Sequence, residues 1–314
     1  MDFRRDNLTR IARAPAKLNL LLDLLGRRDD GFHELETIMV PIRLCDSVAF
    51  LPTKHSNDGD APEITLSVRM CGPGGADTKS EAIPEGRDNI IVRTLELLRQ
   101  RSGCELGAQV ELIKRVPPAA GLGGGSSDAA AALRLANWGW GLSWDVDRLA
   151  EIAAEIGSDV PFFLYGGAAV CRGRGERVES LPATSPIHFV VVKPPVGLAT
   201  SDVYRARAQI SKSGNGTTKP EGTLASVAKE LACGNGARWG RRMRNDLQQA
   251  ASSLTPWVDR MKAAFDSLDF AGHQLSGSGT AYFGVCRHAQ HARRLANILR
   301  TRQLGLVYAT RSCQ

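Results

Sequence analysis

The segment Pro117–Ala132, P-P-A-A-G-L-G-G-G-S-S-D-A-A-A-A, sets four glycines and two serines between an expected strand and an expected helix. Glycine tolerates positive φ and lets backbone N–H groups come close to a ligand. A helix from about Ser127 to Asn137 aims its unpaired N–H groups and the positive end of its dipole at the same point. Donors converging in this way bind phosphate. The candidate cradle is therefore Pro117, Pro118, Ala119, Ala120, Gly121, Leu122, Gly123, Gly124, Gly125, Ser126 and Ser127, with the two serine hydroxyls as further phosphate or Mg²⁺ ligands. The alternative is a glycine turn that only allows tight strand–helix packing. No Lys lies between Pro117 and Leu133, which excludes a Walker A loop. The run also comes too late in the chain for a dinucleotide fingerprint, which sits in the first β-α turn.

Phosphate chemistry needs a proton acceptor and a cation nearby. Asp159 lies just past an expected helix end and before Pro161, where the other reading is a turn-capping Asp. Lys17 falls inside an apolar strand, where an uncompensated ammonium is costly; an edge position with the side chain reaching water is the alternative. Asn19 follows at period two and shares the face of Lys17. Phe32 and His33 pair an aromatic face with a hydrogen-bonding ring, which suits a nucleobase, or else form a small packing cluster. Asn89 is a candidate nucleotide-base contact or a helix cap. Thr200 either lines a pocket or caps a helix. Gly277 and Gly279 let a loop pass close to a ligand, or belong to a plain hairpin turn.

The elements that must hold these groups alternate strand and helix. An apolar run covers Ala16–Leu25, a charged turn Arg27–Gly31, and strands Thr37–Arg43, Ser47–Pro52, Glu63–Arg69 and Ala108–Arg115. Helical spacing marks Asn89–Arg101, and a helix starts with Ser143 as its cap and stops at Gly157. Ala168–Arg172 and Ile187–Lys193 read as strands, the second buried. Beyond them come helices near Thr223–Ala232, Arg242–Leu254, Pro256–Leu268 and His288–Arg302, and strands Gln274–Ser276, Ala281–Cys286 and Leu304–Arg311. That order is a split β-α-β, ferredoxin-like arrangement with extra helices. Ser211–Gly222 reads as a mobile loop. The fold class is α+β, with two domains, 1–180 and 181–314.

With 43% hydrophobic and 23% charged residues, the composition is globular. No stretch is apolar enough to span a membrane, and Met1–Ala14 lacks the apolar core of a secretory signal, so a cytoplasmic location is expected. Forty Lys+Arg against 33 Asp+Glu give +7, densest at Arg238–Arg244 and Arg287–Arg302. The surplus favours an anionic partner or a solvated helix face. With aromatic content at 6%, a base-stacking nucleic-acid surface is not expected. The seven scattered cysteines contain no C-x-x-C pair and fit a reducing compartment. His288 and His291 stand i, i+3 without a Cys or carboxylate close in sequence, a poor metal site.

The chain resembles the GHMP kinase superfamily over nearly its whole length, through A-P-A-K-L-N-L at Ala14–Leu20, P-P-A-A-G-L-G-G-G-S-S-D-A-A at Pro117–Ala130 and L-S-G-S-G-T-A at Leu275–Ala281. R-R-D-D-G-F-H-E-L-E-T at Arg27–Thr37, D-N-I-I-V-R at Asp88–Arg93 and G-S-D-V-P-F-F at Gly157–Phe163 resemble the branch acting on a cytidine-diphosphate substrate of non-mevalonate isoprenoid synthesis. The resemblance implies an N-terminal domain like the second domain of ribosomal protein S5 and a ferredoxin-like C-terminal domain. It implies ATP and Mg²⁺ as cofactors and phosphorylation of an erythritol hydroxyl. It makes Asp159 the base and Lys17 its electrostatic partner. Asn19, His33, Phe32, Thr200, Gly277 and Gly279 fall on the substrate side, and Asn89 joins the glycine run on the nucleotide side. Family members commonly carry Tyr where Phe32 stands, so a phenolic hydrogen bond is lost here. Rival readings are a kinase for homoserine or mevalonate, a diphosphomevalonate decarboxylase, and an RNA-binding S5-like protein without catalysis.

Overall fold

The computed structural model describes residues 9–54, 62–71, 83–182, 185–212, 223–233 and 239–313. They form two compact units. Unit 1 is Met1–Ala16, Cys45–Val116 and Gly124–Tyr165; unit 2 is Lys17–Leu44, Pro117–Gly123 and Gly166–Gln314. Two long strands, β1 (Arg10–Arg27) and β2 (His33–Thr53), give residues to both.

In unit 1, β4 (Gly107–Lys114) pairs in parallel with β3 (Ile64–Met70) and antiparallel with residues Ser47–Thr53 of β2. Alternation in β4 sends Ala108, Val110 and Leu112 into the core, where they meet Val48, Phe50, Ile64 and Leu66. Helices α1 (Ile90–Ser102), α2 (Gly124–Gly139), α3 (Val146–Ile156) and α4 (Val160–Tyr165) complete it. The buried face of α2 is alanine-rich, Ala129–Ala132 with Leu133 and Ala136, so the helix carries little bulk there. Gly139 is required next to Phe50, because a Cβ there would stand 2.6 Å from the ring. Asp145, rather than Ser143, caps α3: its Oδ1 accepts the Arg148 N–H at 2.8 Å, while Ser143 adopts a left-handed φ of 54°. Both residue types cap helices, and the backbone turn selects the later one.

In unit 2, residues Leu35–Met39 of β2 pair with β5 (Ala169–Gly173), which pairs with β6 (Arg177–Ser180). Leu21–Leu22 of β1 pair in parallel with a two-residue strand, β8 (Arg244–Asn245). A separate sheet has the order β11 (Leu306–Arg311), β7 (His188–Lys193), β10 (Tyr282–Cys286), β9 (Gly272–Leu275), antiparallel throughout. In chain order its strands are arranged fourth, first, third, second, the ferredoxin-like order that the sequence predicts. Its helices are α5 (Thr200–Lys212), α6 (Thr223–Ala232), α7 (Gln248–Leu254), α8 (Trp257–Asp266) and α9 (Ala289–Thr301). Their core gathers Val190, Val192, Leu275, Tyr282, Phe265, Leu295 and Leu299. Burial pushes the Cys286 thiol in this core up to about 12.

Several elements differ from the sequence reading. The expected strands Thr37–Arg43 and Ser47–Pro52 are one strand, because Asp46, a poor strand former, is neutralised inside it by Lys114. The expected helix Arg242–Leu254 breaks into a 3₁₀ turn at Gly240–Arg242, β8 and α7. The break follows from Arg244, whose guanidinium grips Asp23 of β1 in a two-pronged pair at 2.6 and 2.5 Å. Helix α4 and strand β6 are absent from the sequence reading, and α5 begins at Thr200, where a helix cap is one of the two readings. Of Ser211–Gly222, Ser211 and Lys212 end α5 and the rest lies outside the described residues. The basic clusters are solvated faces whose arginines also pair locally: Arg242 with Glu230, Arg287 and Arg294 with Asp269, and Arg302 donates to Ala264 O. Arg238 lies outside the described residues. His288 caps α9, and the buried His291 meets Asp269 at 3.2 Å. Among the described residues no His/Cys/Asp/Glu group is arranged to hold a metal, none of the seven cysteines forms a disulfide, and no helix is long and apolar enough to cross a membrane.

Phe265 is fully buried, stacked on Phe270 at 4.8 Å and tilted against Tyr282 at 5.0 Å. Phe265→Ala is expected to destabilise the fold by about 3–5 kcal/mol, the cost of a large cavity. Urea denaturation checks this, and a loss below about 1 kcal/mol would contradict the packing described.

Candidate active site

Within unit 2 the glycine-rich run is tied down by its carbonyls. Ala120 O accepts the Ala281 N–H at 3.0 Å, Gly121 O accepts the Ser276 hydroxyl at 3.0 Å, and Leu122 O accepts the Lys17 N–H at 2.8 Å. In a trans peptide the C=O and the following N–H point in opposite directions. Three anchored carbonyls therefore turn the N–H groups of Gly121, Leu122 and Gly123 away from these anchors, as a row of donors. The backbone needed for this has positive φ at Ala119 (47°), Gly121 (71°) and Gly123 (67°). Gly121 admits no side chain: a Cβ would stand 2.1 Å from Ser276 O. The left-handed Ala119 is the strained position, of the kind that concentrates at functional sites.

Lys17 is buried, with 4% of its surface exposed, which rules out the edge reading. Its Nζ donates to Asn19 Oδ1 at 2.5 Å, as the shared strand face predicts. The Asn19 amide is oriented in turn: Nδ2 donates to Thr37 Oγ1 at 2.9 Å, and that hydroxyl donates to Leu21 O at 2.6 Å. Gln274 Nε2 holds the Asn19 carbonyl at 2.7 Å. Over the pair lies the β9–β10 connection. A Cβ on Gly277 (φ 55°) would come within 3.1 Å of Lys17 Nζ, 3.3 Å of Asn19 Oδ1 and 3.1 Å of Gly121 O. Asn245 Nδ2 grips this loop through Leu275 O and Gly277 O, at 3.0 and 2.7 Å. Thr200, the first residue of α5, shares a hydrogen bond with Ser278 Oγ at 2.9 Å. Gly279 has φ 93° and would press a Cβ on Leu275 at 3.1 Å. The connection is a hairpin between the antiparallel β9 and β10, closed by the Gly279 N–H to Ser276 O at 2.9 Å, and these contacts fasten it.

Phe32 is 50% exposed, and the Arg174 guanidinium lies over its ring at 4.8 Å. His33 packs its ring on Tyr204 of α5, centroids 5.1 Å apart. Partial burial, with Arg27 and Arg207 nearby, holds the His33 imidazole below its ordinary value, so it is neutral at pH 7.

Unit 1 holds the other candidates. Gly124, Gly125, Ser126 and Ser127 form the first turn of α2, whose leading N–H groups have no acceptor within the helix. Ser127 Oγ is buried with no hydrogen-bond partner among the described residues, and so is Asp128 Oδ1. Asn89 caps α1: Oδ1 accepts the Ile91 N–H at 2.8 Å and Nδ2 donates to Pro84 O at 2.6 Å. Asp159 occupies the turn ahead of α4, with Pro161 in that helix's first turn, a position the imide tolerates. It is half-buried.

The structure therefore gathers Lys17, Asn19, Ala119–Gly123, Thr200, Gly277 and Gly279 in unit 2, and Asn89, Gly124–Ser127 and Asp159 in unit 1. The sequence reading missed Thr37, Gln274, Asn245 and Tyr204. These are residues of ordinary type in no local pattern; only Tyr204, four residues after Thr200, shares a helical face with a chosen residue.

A row of backbone donors beside a buried, oriented ammonium is the equipment of a phosphoryl-transfer enzyme. Comparison with known proteins agrees. Residues 89–167 match the model for the GHMP kinases N terminal domain, and residues 227–304 match the GHMP kinases C terminal model. A 4-diphosphocytidyl-2-C-methyl-D-erythritol kinase from Pelotomaculum thermopropionicum is 39% identical over 285 residues, 91% of this chain and 92% of that protein. A solved 4-(cytidine 5'-diphospho)-2C-methyl-D-erythritol kinase is 32% identical with a TM-score of 0.74, covering 97% of this chain and all of that one. Mevalonate kinase of L. major, solved with R-mevalonate, has a TM-score of 0.73 over 96% of this chain and 95% of its own, at 12% identity, and shares the fold alone. The chain belongs to the GHMP kinases and, among them, to the 4-diphosphocytidyl-2-C-methyl-D-erythritol kinase family. Its α+β fold is the two-domain GHMP kinase fold, and it is an ATP-using kinase.

Gly277→Ala is expected to lower kcat roughly 100-fold, because the methyl displaces Lys17 and a left-handed backbone is strained. Steady-state kinetics checks it, together with a thermal melt to show that the variant is folded. A folded variant with normal kcat would separate this loop from the reacting groups.

Proposed function

We infer that the protein transfers the γ-phosphoryl group of ATP to a hydroxyl on the erythritol part of 4-diphosphocytidyl-2-C-methyl-D-erythritol, in the non-mevalonate route to isoprenoid precursors and in the cytoplasm. The observation carrying this is the triple carbonyl anchorage at Ala120–Leu122, which turns the following N–H groups away from their anchors beside the Lys17–Asn19 pair. In sequence terms the N-terminal domain extends to about residue 180 and the C-terminal domain follows it.

In this reading the amides of Gly121–Gly123 and the first turn of α2, with Pro117–Ala120 shaping the approach, hold the triphosphate. Ser127, whose buried hydroxyl lacks a partner among the described residues, is the side chain for Mg²⁺. Held there, the ion would supply positive charge to offset that of the triphosphate. Asp159 accepts the proton of the substrate hydroxyl. The freed oxygen forms its bond to the γ-phosphorus, the bond from that phosphorus to the β–γ bridging oxygen breaks, and ADP departs. Lys17 is the electrostatic partner of Asp159 and draws the phosphoryl group in. Asn19 fixes the direction of Lys17. Phe32 and Tyr204 supply aromatic faces for the cytosine, and His33 its hydrogen bond. Thr200, Gly277 and Gly279 face the erythritol, and Asn89 serves the nucleotide side through the start of α1.

The direct test incubates purified protein with ATP, Mg²⁺ and either the cytidine-diphosphate substrate, mevalonate or homoserine, and identifies products by mass spectrometry. Phosphorylation of the first alone is expected; turnover of mevalonate or homoserine alone, or RNA binding without kinase activity, would overturn the reading. Asp159→Asn should lower kcat by about 10²–10⁴, the usual contribution of a general base, with ATP affinity nearly unchanged. Calorimetry and steady-state rates separate the two effects, and near-normal turnover would remove Asp159 from this role.

The pH dependence has a definite sign. Because the His33 value is lowered, the neutral ring persists until pH falls clearly below 6.5. KM for the cytidine substrate should be flat from about pH 7 to 8.5 and rise on acidification through that depressed value. His33→Gln should flatten the acid limb, and an unchanged limb in that variant would place the titration elsewhere.

A further inference from the structure

Unit 1 contains a buried ionic group that the chemistry above does not use. Lys114, the last residue of β4, sends Nζ to Asp46 Oδ2 at 2.5 Å and to Asp128 Oδ2 at 2.7 Å. All three side chains are at least 96% buried. The other oxygen of Asp46 accepts two consecutive backbone N–H groups, those of Arg115 and Val116, the latter at 2.8 Å. Arg115–Val116 lead directly into the glycine-rich run at Pro117, and Asp128 sits in the opening turns of α2, directly after it. Gly124 lies against the group itself: a Cβ there would stand 3.2 Å from Lys114 Nζ and 3.0 Å from Val116 Cγ1.

The chain therefore enters and leaves its phosphate loop through one carboxylate–ammonium–carboxylate junction. Such a junction is a poor source of stability, because desolvating three charges offsets most of their attraction. Two carboxylates on one ammonium leave an excess negative charge. Burial, with Asp46 close by, raises the Asp128 carboxyl well above the usual carboxylate range. An apolar cluster would fill this space at lower cost, whereas fixed geometry is what a bridged ammonium supplies.

We propose that Lys114, Asp46 and Asp128 are positioning residues for ATP, an ionic clip that fixes the spacing between the two ends of the glycine-rich run so that its N–H groups meet the triphosphate. This rests on the reading of that run as the phosphate site. None of the three touches the reacting groups; they act through the backbone they hold.

Two variants test the clip. Asp128→Ala releases α2 but leaves the neutral Lys114–Asp46 pair. The double variant K114M/D128L replaces the bridge with apolar groups and leaves Asp46 its two backbone donors. ATP binding is measured by calorimetry without acceptor, so the result does not depend on which alcohol the enzyme phosphorylates. Wild-type turnover of the cytidine substrate, run separately, tests that other reading. The expected result is a folded protein whose Kd for ATP rises at least tenfold, with KM for the acceptor within twofold of wild type, and with Asp128→Asn, which still accepts from Lys114, regaining most of the affinity. A folded variant of either kind binding ATP within twofold of wild type would overturn the proposal. So would equal weakening of ATP and acceptor, or failure of both variants to fold, since each assigns the junction to stability alone.

Discussion

A trans peptide cannot aim its carbonyl and its amide hydrogen the same way. Everything at this site depends on that constraint acting three times in succession. Ala120, Gly121 and Leu122 each commit a carbonyl to a different anchor: the backbone of Ala281, the hydroxyl of Ser276 and the backbone of Lys17. The anchors come from the β9–β10 connection and from β1, so the donors proposed for the phosphates are set by the same segments that carry Lys17 and the glycines over it. A loop held through one carbonyl could rotate its peptides and lose the row. Held through three, it has its donors oriented before any ligand arrives, which is what makes electrostatic stabilisation effective.

Two buried lysines show how surroundings separate roles. Lys114 meets two carboxylates, which together cancel more than its charge and leave geometry as its contribution. Lys17 donates to the side-chain oxygen of Asn19, a neutral acceptor that fixes the direction of the ammonium. The relay Asn19–Thr37–Leu21 O then prevents the amide from turning over, since Thr37 Oγ1 must accept from Nδ2 while donating to the Leu21 carbonyl. Substitution at Thr37 would free the amide to flip and present Nδ2 to the ammonium, a donor facing a donor.

The parts of the fold legible in the sequence were those written in local pattern. The glycine run, the shared face of Lys17 and Asn19, the buried strand at Phe189–Val192 and the ferredoxin-like order each depend on residue type or period over a few positions. Illegible parts depend on partners far along the chain. Nothing near Arg242 announces that Arg244 will fork onto Asp23, 221 residues away, and end a helix that periodicity alone would continue. Gln274 and Asn245 are likewise unremarkable until their amides are found under Asn19 and Gly277. Asp46 misled in the other direction: a turn-forming residue marks a break in any local reading, and only the buried Lys114 lets β2 run through it.

The phenylalanine at position 32 illustrates how a missing hydroxyl is offset by geometry. An exposed ring on a turn is free to swing, and a ring that must meet a flat base loses affinity for each orientation it samples. Here Phe32 is restrained from two sides: its N–H donates to Asp30 Oδ1 at 3.1 Å, and the Arg174 guanidinium covers one face at 4.8 Å. Arg28 closes the turn through Asp30 and Glu34, at 3.0 and 2.8 Å. Each of these exposed ion pairs is weak on its own. Together they hold the turn that carries the ring, so on the proposed reading of Phe32 as the cytosine contact, stacking depends on the turn's electrostatics instead of on a phenolic hydrogen bond.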